Sequence, residues 1–462
     1  MSVLKSLSAV LASALLLASC AASPLVSPLQ PGRALSSPLQ ALSQPAFSAG
    51  AYHNFQAQPQ LPVGKAPRKA VKLTYMMADD EGHQSPWSRQ MLEMMDDLPQ
   101  NQVYNLVFRD GNQMGDSRLY YLQEADTDPK TVRAPQSVLA PGVGEVQSNN
   151  PAVFSEVLKW SLDRYPAQYK YLQIYTHGGG LMGIGTDKVQ TAPSGQILPT
   201  AMQQKMLTPA LLNGAMRQAL RGRKLDLVYF RACLMGNLEA LYELTGTVDY
   251  ALASEDVSYS VENSNITMTR LFDDLAGQGV APREIARQLA IQANAKNGGK
   301  RQGYTTLAAF DLNQLGGLKT AVNQLANLLK AKMPTHGAQI RAVYLSVPGF
   351  KENNEGYFLR DFWAFGSALL EQINDPQIEA AVLNARRAQE AATIHARDSF
   401  GAKANGLSIL MPPGAALAED KYRNYLLKTY QETRFARESA WDDFLLALSD
   451  FMRSTPAPVF ED

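Results

Sequence analysis

The chain has 462 residues with 43 basic and 43 acidic side chains. The resulting zero formal charge offers no electrostatic case for a nucleic acid or other polyanionic partner. Apolar residues at 45% and charged residues at 19% are ordinary for a folded globular chain, and two cysteines are too few for a disulfide framework.

Met1 to Ser19 carries one basic residue, Lys5, and then an apolar stretch from Val10 to Ala18. That stretch falls short of the roughly 20 residues a membrane-spanning helix needs. A short basic region, an apolar core and small residues at its end describe an export signal. Leu17-Ala18-Ser19-Cys20 resembles the bacterial lipobox. The resemblance implies a lipoprotein signal peptide over 1–19, cut just before Cys20, with lipid attached to the Cys20 thiol. Two or more acyl chains anchor a protein stably, where one is marginal. The expected location is therefore the bacterial cell envelope, on the outer membrane or the outer face of the cytoplasmic membrane. Residues 20–67 repeat Ser-Pro-Leu, starting at Ser23, Ser27 and Ser37, and read as a semi-stiff tether without chemistry.

From Lys72 onward strands alternate with helices. Leu73–Met77 is a short buried strand. Ser85-Pro86 starts a helix whose Met91, Met94, Met95 and Leu98 fall at core spacing. Val103–Phe108 and Arg118–Leu122 are the next strands. Asn150-Pro151 opens a helix ending at Tyr165-Pro166, and the strand Tyr171–Tyr175 then runs into His177-Gly178-Gly179-Gly180. A loop covers 181–206, and Thr208-Pro209 opens a helix to Leu220. The apolar strand Leu225–Phe230 delivers Arg231, Ala232 and Cys233. Cys233 is expected to open a helix whose stripe is Leu234, Leu238, Leu241 and Leu244; Val248–Ala253 follows as a strand. This alternation predicts an α/β fold, a mostly parallel sheet with helices on both faces. The core is placed at 68–260, and 261–455 is a helix-rich C-terminal extension of it. Within that part Ile285, Leu289 and Gln292 mark one helix and Leu312–Leu329 another. Leu407–Met411 is a late strand, and Trp441, Phe444 and Leu448 mark a final amphipathic helix.

Sites in open parallel sheets form beyond the carboxyl ends of strands, where His177 and Cys233 both lie. A cysteine attacks as its thiolate, and an imidazole or a helix N-terminus favours that form. The backbone N–H groups of Gly178 and Cys233 are candidate donors for an oxyanion. By themselves, one histidine and one cysteine leave a structural reading open: a strand-end imidazole and an inert core thiol.

Leu172-Gln173-Ile174-Tyr175-Thr176-His177-Gly178-Gly179-Gly180 resembles the histidine motif of the clostripain family of cysteine peptidases. Phe230-Arg231-Ala232-Cys233-Leu234-Met235-Gly236-Asn237-Leu238-Glu239 resembles that family's nucleophile motif. Thr74–Asp79, Ala253-Ser254-Glu255, Asn405–Ile409 and Trp441–Phe444 are similar in style, so the resemblance runs from about 70 to 450. It implies a caspase-like fold and peptide or protein substrates, with His177 as general acid–base and Cys233 as nucleophile. It also implies self-cleavage within the 181–206 loop; relatives cut after basic residues such as Lys188 and Lys205, but a pocket holding Arg231 should not accept these, and cleavage after Asp187 fits the charge better.

One position departs from the family. Members carry Asp two residues before the cysteine, where it selects a basic side chain before the scissile bond; here Arg231 stands there. Its guanidinium would repel a basic side chain and offer a fork to a carboxylate, so Asp or Glu before the cut is expected. Two alternatives stay open: Glu255 or Asp256 neutralises Arg231, or Arg231 points away from the pocket. The runner-up for the whole chain is an inactive relative that binds peptides on the cell envelope. No metal site or cofactor is expected, since the histidines at 53, 83, 177, 336 and 395 lack ligand spacing. Asp79-Asp80-Glu81 is a candidate for calcium or, as the alternative, a solvated acidic loop.

Overall fold

The computed structural model describes residues 61–455 except 65, 80–83, 97–101, 114, 123–135, 139–145, 186–205, 258–261, 294–295, 298–299, 302–305, 350–357 and 397–403. The signal peptide, Cys20, nearly all of the tether, His53, Asp80, Glu81, His83, Leu98, Asp187, Lys188 and Lys205 lie outside the described residues.

In chain order the elements begin with β1 (Arg68–Met77), α1 (Gln84–Asp96), β2 (Val103–Asp110), β3 (Arg118–Leu122), β4 (Gln136–Val138), α2 (Pro151–Arg164) and β5 (Ala167–Tyr175). Then come α3 (Pro209–Leu220), β6 (Leu225–Arg231), α4 (Leu238–Glu243), β7 (Val248–Ser254), α5 (Glu262–Gly277) and α6 (Pro282–Ala293). A two-residue pair, β8 (Lys296–Asn297) and β9 (Lys300–Arg301), precedes β10 (Leu307–Asp311) and α7 (Leu315–Ser346). The chain closes with β11 (Leu359–Asp361), α8 (Phe362–Gln372), α9 (Pro376–Ala392), β12 (Thr393–His395), β13 (Ser408–Leu410) and four helices, α10 (Gly414–Leu417), α11 (Asp420–Lys428), α12 (Arg434–Glu438) and α13 (Trp441–Ser454).

Among the described residues nine strands form one sheet in the order β12-β10-β7-β6-β5-β1-β2-β3-β4. The five central strands, β7 to β2 in that order, are parallel, and the outer ones are antiparallel. This is the expected mostly parallel α/β architecture. Parallel strands of such a sheet are buried on both faces, as β1 is from Ala70 onward and β2 throughout.

Alternation along the strands separates two faces. Leu73, Tyr75, Leu172, Ile174, Val228 and Phe230 point into a core shared with α2, α3 and the C-terminal helices. Ala70, Tyr171, Leu227, Tyr229 and Leu252 point the other way, against Phe272 of α5 and Ile285 and Leu289 of α6. Met91 and Met95 pack with Met76, Val107 and Tyr175, as core side chains do. The C-terminal part completes the sheet through β10 and β12.

Several starts follow from local chemistry. Asn150 Oδ1 accepts from Ala152 N at 2.8 Å with Pro151 in the first turn, and Thr208 Oγ1 accepts from Leu211 N at 3.4 Å before Pro209. Helix α1 begins at Gln84, one residue before the expected Ser85 cap. Helix α7 runs to Ser346 straight through Pro334, well beyond the predicted Leu329. Its buried Ala326, Leu329, Met333, Gly337 and Ile340 continue one apolar stripe across the proline, so tertiary packing overrides the local break. Strand β13 pairs with β11 in a separate two-stranded sheet rather than at an edge of the main one.

Candidate active site

The two sequence candidates are brought together by strand register. In the parallel pair β5 and β6, Tyr175 stands opposite Arg231. His177 and Cys233 each lie two residues further on, at matching positions past the ends of neighbouring strands. Thr176 clamps this edge: its N–H donates to the Arg231 carbonyl at 3.3 Å and its hydroxyl to the Met77 carbonyl at 2.8 Å. Three strand ends are thereby tied together below the two residues.

Beyond the clamp the backbones touch. A β-carbon on Gly178 would collide with the Cys233 carbonyl oxygen and stand 2.8 Å from the Cys233 nitrogen. Only glycine permits that approach. The loop after His177 is folded back on itself, Gly185 N–H donating to the His177 carbonyl at 3.0 Å and Gly179 N–H to Gly183 at 2.8 Å.

The helix expected directly after Cys233 starts later. Residues 232–236 form a turn, and α4 begins at Leu238 with Asn237 as its cap, accepting from Ala240 N at 2.8 Å. Leu234 takes a left-handed conformation, φ 65°, unfavourable for a side chain with a β-carbon. It is held there by its N–H to the Asp256 carbonyl at 3.2 Å and by Asn237 Nδ2 donating to its carbonyl at 2.7 Å. Cys233 is therefore five residues from a six-residue helix, and the expected support of its thiolate by a helix N-terminus is not available. What remains for that role is the imidazole.

Cys233 is 7% exposed and His177 partly exposed. Around the thiol lie Leu234, Val257, Leu359 and Leu181, an apolar collar that limits water.

Arg231 is half-buried and shares a sheet face with Tyr229. Its guanidinium carbon stands 5.7 Å from the Tyr229 ring centre, and Nη1 donates to Thr269 Oγ1 of α5 at 3.3 Å. Glu255 is on the opposite face. Strand alternation sends its side chain with Ala251 and Ala253 towards the other core, where Oε1 accepts from Gly406 N at 2.6 Å. Burial, and then neighbouring Asp361, hold its carboxyl well above the ordinary range. The alternative in which Glu255 neutralises Arg231 is therefore disfavoured, its carboxyl being engaged by Gly406 on the opposite face. Asp256 Oδ1 accepts from Val257 N at 2.7 Å.

Two polar systems were not singled out in the sequence. Lys72, fully buried, pairs with Asp273, which also accepts from Asn105 at 3.2 Å. Burial lowers the Lys72 ammonium and raises the Asp273 carboxyl. Lys72 interrupting an apolar run was the available signal. On the other face, Glu239 in α4 accepts from Leu410 N at 3.0 Å and Tyr430 Oη at 2.8 Å, and burial pushes its carboxyl up to about 7. It latches the turn after Cys233 to the C-terminal part. Asp79 is buried, and among the described residues no three His, Cys, Asp or Glu side chains gather as a cation site. His336 packs beside Thr335 and Asp375, and His395 lies on the edge strand β12.

Known proteins share this fold. The family model described as the clostripain family matches residues 74–448. An inactive zymogen C11 protease from Parabacteroides distasonis superposes with a TM-score of 0.55 at 16% identity, covering 82% of this chain and 99% of that one. A secreted C11 cysteine protease from Bacteroides thetaiotaomicron, solved with an irreversible peptide inhibitor, gives 0.54 at 15% identity, covering 81% and 99%. No curated protein matches the sequence. Among the described residues no helix is long and apolar enough to cross a membrane.

Proposed function

Since the chain belongs to the clostripain family of cysteine peptidases, we propose that it is an exported endopeptidase with Cys233 as nucleophile and His177 as general acid–base. The observation that carries this is the β5–β6 register, which places both residues side by side past the strand ends with Gly178 packed on the Cys233 peptide.

In the reaction the Cys233 thiolate attacks the scissile carbonyl carbon, forming a C–S bond while the carbonyl electrons move onto oxygen. The N–H groups of Gly178 and Cys233 stabilise that oxyanion. The His177 imidazolium gives its proton to the departing amine nitrogen as the C–N bond breaks. A thioester remains. Neutral His177 then takes a proton from water, hydroxide adds to the thioester carbon, and the C–S bond breaks to release the acid and the thiolate. The collar of Leu181, Val257 and Leu359 limits competing water.

Arg231 faces the side chain before the scissile bond and favours Asp or Glu there. Glu255, on the opposite sheet face, does not cancel that charge. The N-terminal signal and Cys20 serve export and lipid anchoring to the cell envelope; one similar structure is of a secreted protease.

The test is a panel of fluorogenic peptides differing only before the scissile bond, with Cys233→Ala and His177→Ala as controls. Hydrolysis lost in both, together with labelling of Cys233 by a peptide acyloxymethyl ketone, is the expected result. Cleavage that survives Cys233→Ala would overturn the assignment.

A further inference from the structure

The sheet face that carries Arg231 also carries polar side chains that the hydrolysis above does not use. Register places them. Gln173 of β5 stands opposite Thr74 of β1 and Tyr229 of β6; Lys72 stands opposite Tyr171 and Asn105. Gln173 is therefore one strand across from Arg231 and two residues lower, about 7 Å along the strand. Lys72 lies two residues lower again.

Arg231 leans over this strip. Its guanidinium reaches Thr269, one helical turn before Asp273 on α5. Asp273 is bonded to Lys72 on β1 and Asn105 on β2. A side chain rooted on β6 that reaches a helix lying over β1 must cross β5, and Gln173 occupies β5 at that level. Arg231 is close enough for its charge to lower the Lys72 ammonium further.

Gln173 and Thr74 are fully buried. Neither amide atom of Gln173 nor the Thr74 hydroxyl has a hydrogen-bond partner among the described residues. Buried polar groups are nearly always satisfied, and a glutamine left so in the middle of a central strand requires an explanation. A ligand acceptor that enters beside Arg231 would satisfy two of these three atoms, the Gln173 amide N–H and the Thr74 hydroxyl.

The geometry points to Gln173 as a specificity-determining residue that, together with Arg231, receives the carboxylate of a glutamate side chain before the scissile bond. This rests on the reading that Arg231 lines the pocket beside Cys233. A carboxylate accepts up to four hydrogen bonds. The Arg231 fork supplies two donors, the Gln173 amide a third and the Thr74 hydroxyl a fourth. Lys72 is already matched by Asp273, so the strip needs no second anion lower down. Because Gln173 lies deeper than the guanidinium, the longer glutamate reaches both, whereas aspartate is one methylene short.

The experiment uses the full chain and four otherwise identical peptides with Glu, Asp, Gln or Ala before the cut. Wild type is expected to prefer Glu to Asp by about tenfold in kcat/KM. Gln173→Leu should lower the Glu-to-Ala ratio by about tenfold or more. Its Tm should not fall, since leucine removes two unsatisfied buried atoms without opening a cavity. Gln173→Glu, nearly isosteric, should lower the Glu-to-Gln ratio below that of Gln173→Leu, because it sets a carboxyl against the substrate carboxylate. Should Gln173→Leu slow all four peptides equally, or leave the ratios intact while Arg231→Ala abolishes them, Gln173 is not a determinant and the Arg231 reading survives. If Arg231→Ala also keeps the wild-type ratios, it is the underlying pocket assignment that fails.

Discussion

A side chain on Gly178 would collide with the carbonyl oxygen of Cys233, so the histidine loop and the cysteine turn are in backbone contact. Both proposed oxyanion donors come from this one contact. Gly178→Ala must therefore push the loop and turn apart. Displacement on the scale of 1 Å at a reacting centre costs about a hundredfold in rate. We expect kcat/KM to drop by at least about that factor, measured on the preferred peptide, with the protein still folded by circular dichroism.

Arg231→Asp tests the sign of the pocket. Reversing one half-buried charge replaces attraction by repulsion for an acidic side chain. The ratio of kcat/KM for Glu over Arg before the cut should shift towards Arg by about a hundredfold or more. Unchanged preference would show that Arg231 does not face the substrate.

Lys72 and Asp273 form a buried pair whose separation leaves an uncompensated charge under α5. Lys72→Met alone should cost about 3–5 kcal/mol in urea unfolding, and Asp273→Leu a similar amount. The double variant should recover most of the loss, since an apolar pair of similar volume is often as stable as a buried ion pair. Equal and additive losses would contradict a direct pair.

Glu239 makes stability depend on pH in a defined direction. Its carboxyl is raised in the fold to about 7 from 4.5, chiefly by burial. A group raised on folding contributes stability that is fully present below its unfolded value. That contribution is lost as pH climbs through the folded value. Between pH 4.5 and about 7 the loss from Glu239 should approach about 3 kcal/mol. Glu255 and Asp361, also raised by burial, act in the same direction. Glu239→Gln keeps acceptors for Leu410 and Tyr430 but cannot ionise. Its thermal unfolding should show a flatter pH profile over that interval and a higher Tm than wild type at pH 8.

The proposed envelope location rests on Cys20 as the site of lipid attachment. Cys20→Ser should move the protein from the membrane pellet to the soluble fraction and abolish incorporation of labelled palmitate. Retention of the label would place the lipid elsewhere.

How much of this could be read in advance varied by element. Asn150-Pro151 and Thr208-Pro209 announced helices that do begin there, because capping is a contact among residues two or three apart. The strand end at Tyr175 was legible from its apolar run, and the strand read as Leu225–Phe230 runs one residue further, to Arg231; the positions of His177 and Cys233 just past these ends follow. The stretch after Cys233 departs from its sequence pattern. Leu234 and its neighbours have helical spacing, yet bonds to Asp256 and Asn237 hold a left-handed turn there and delay the helix to Leu238. Helix α7 erred in the opposite direction, its Pro334 tolerated because the stripe on either side is buried.

Sequence alone determined the alternation of strands and helices, the two motifs and the reversal of charge at Arg231, since each is local or confined to one segment. Tertiary structure decided which residues face one another. From the sequence Glu255 is an open candidate to neutralise Arg231, but successive residues on a strand point to opposite faces, and that parity sends Glu255 to Gly406 and Asp361. The same parity brings Gln173, Thr74 and Lys72, all distant from Arg231 along the chain, onto the face beneath it. Register between strands is a long-range property set by packing of the whole sheet, and no segment of the chain carries it by itself.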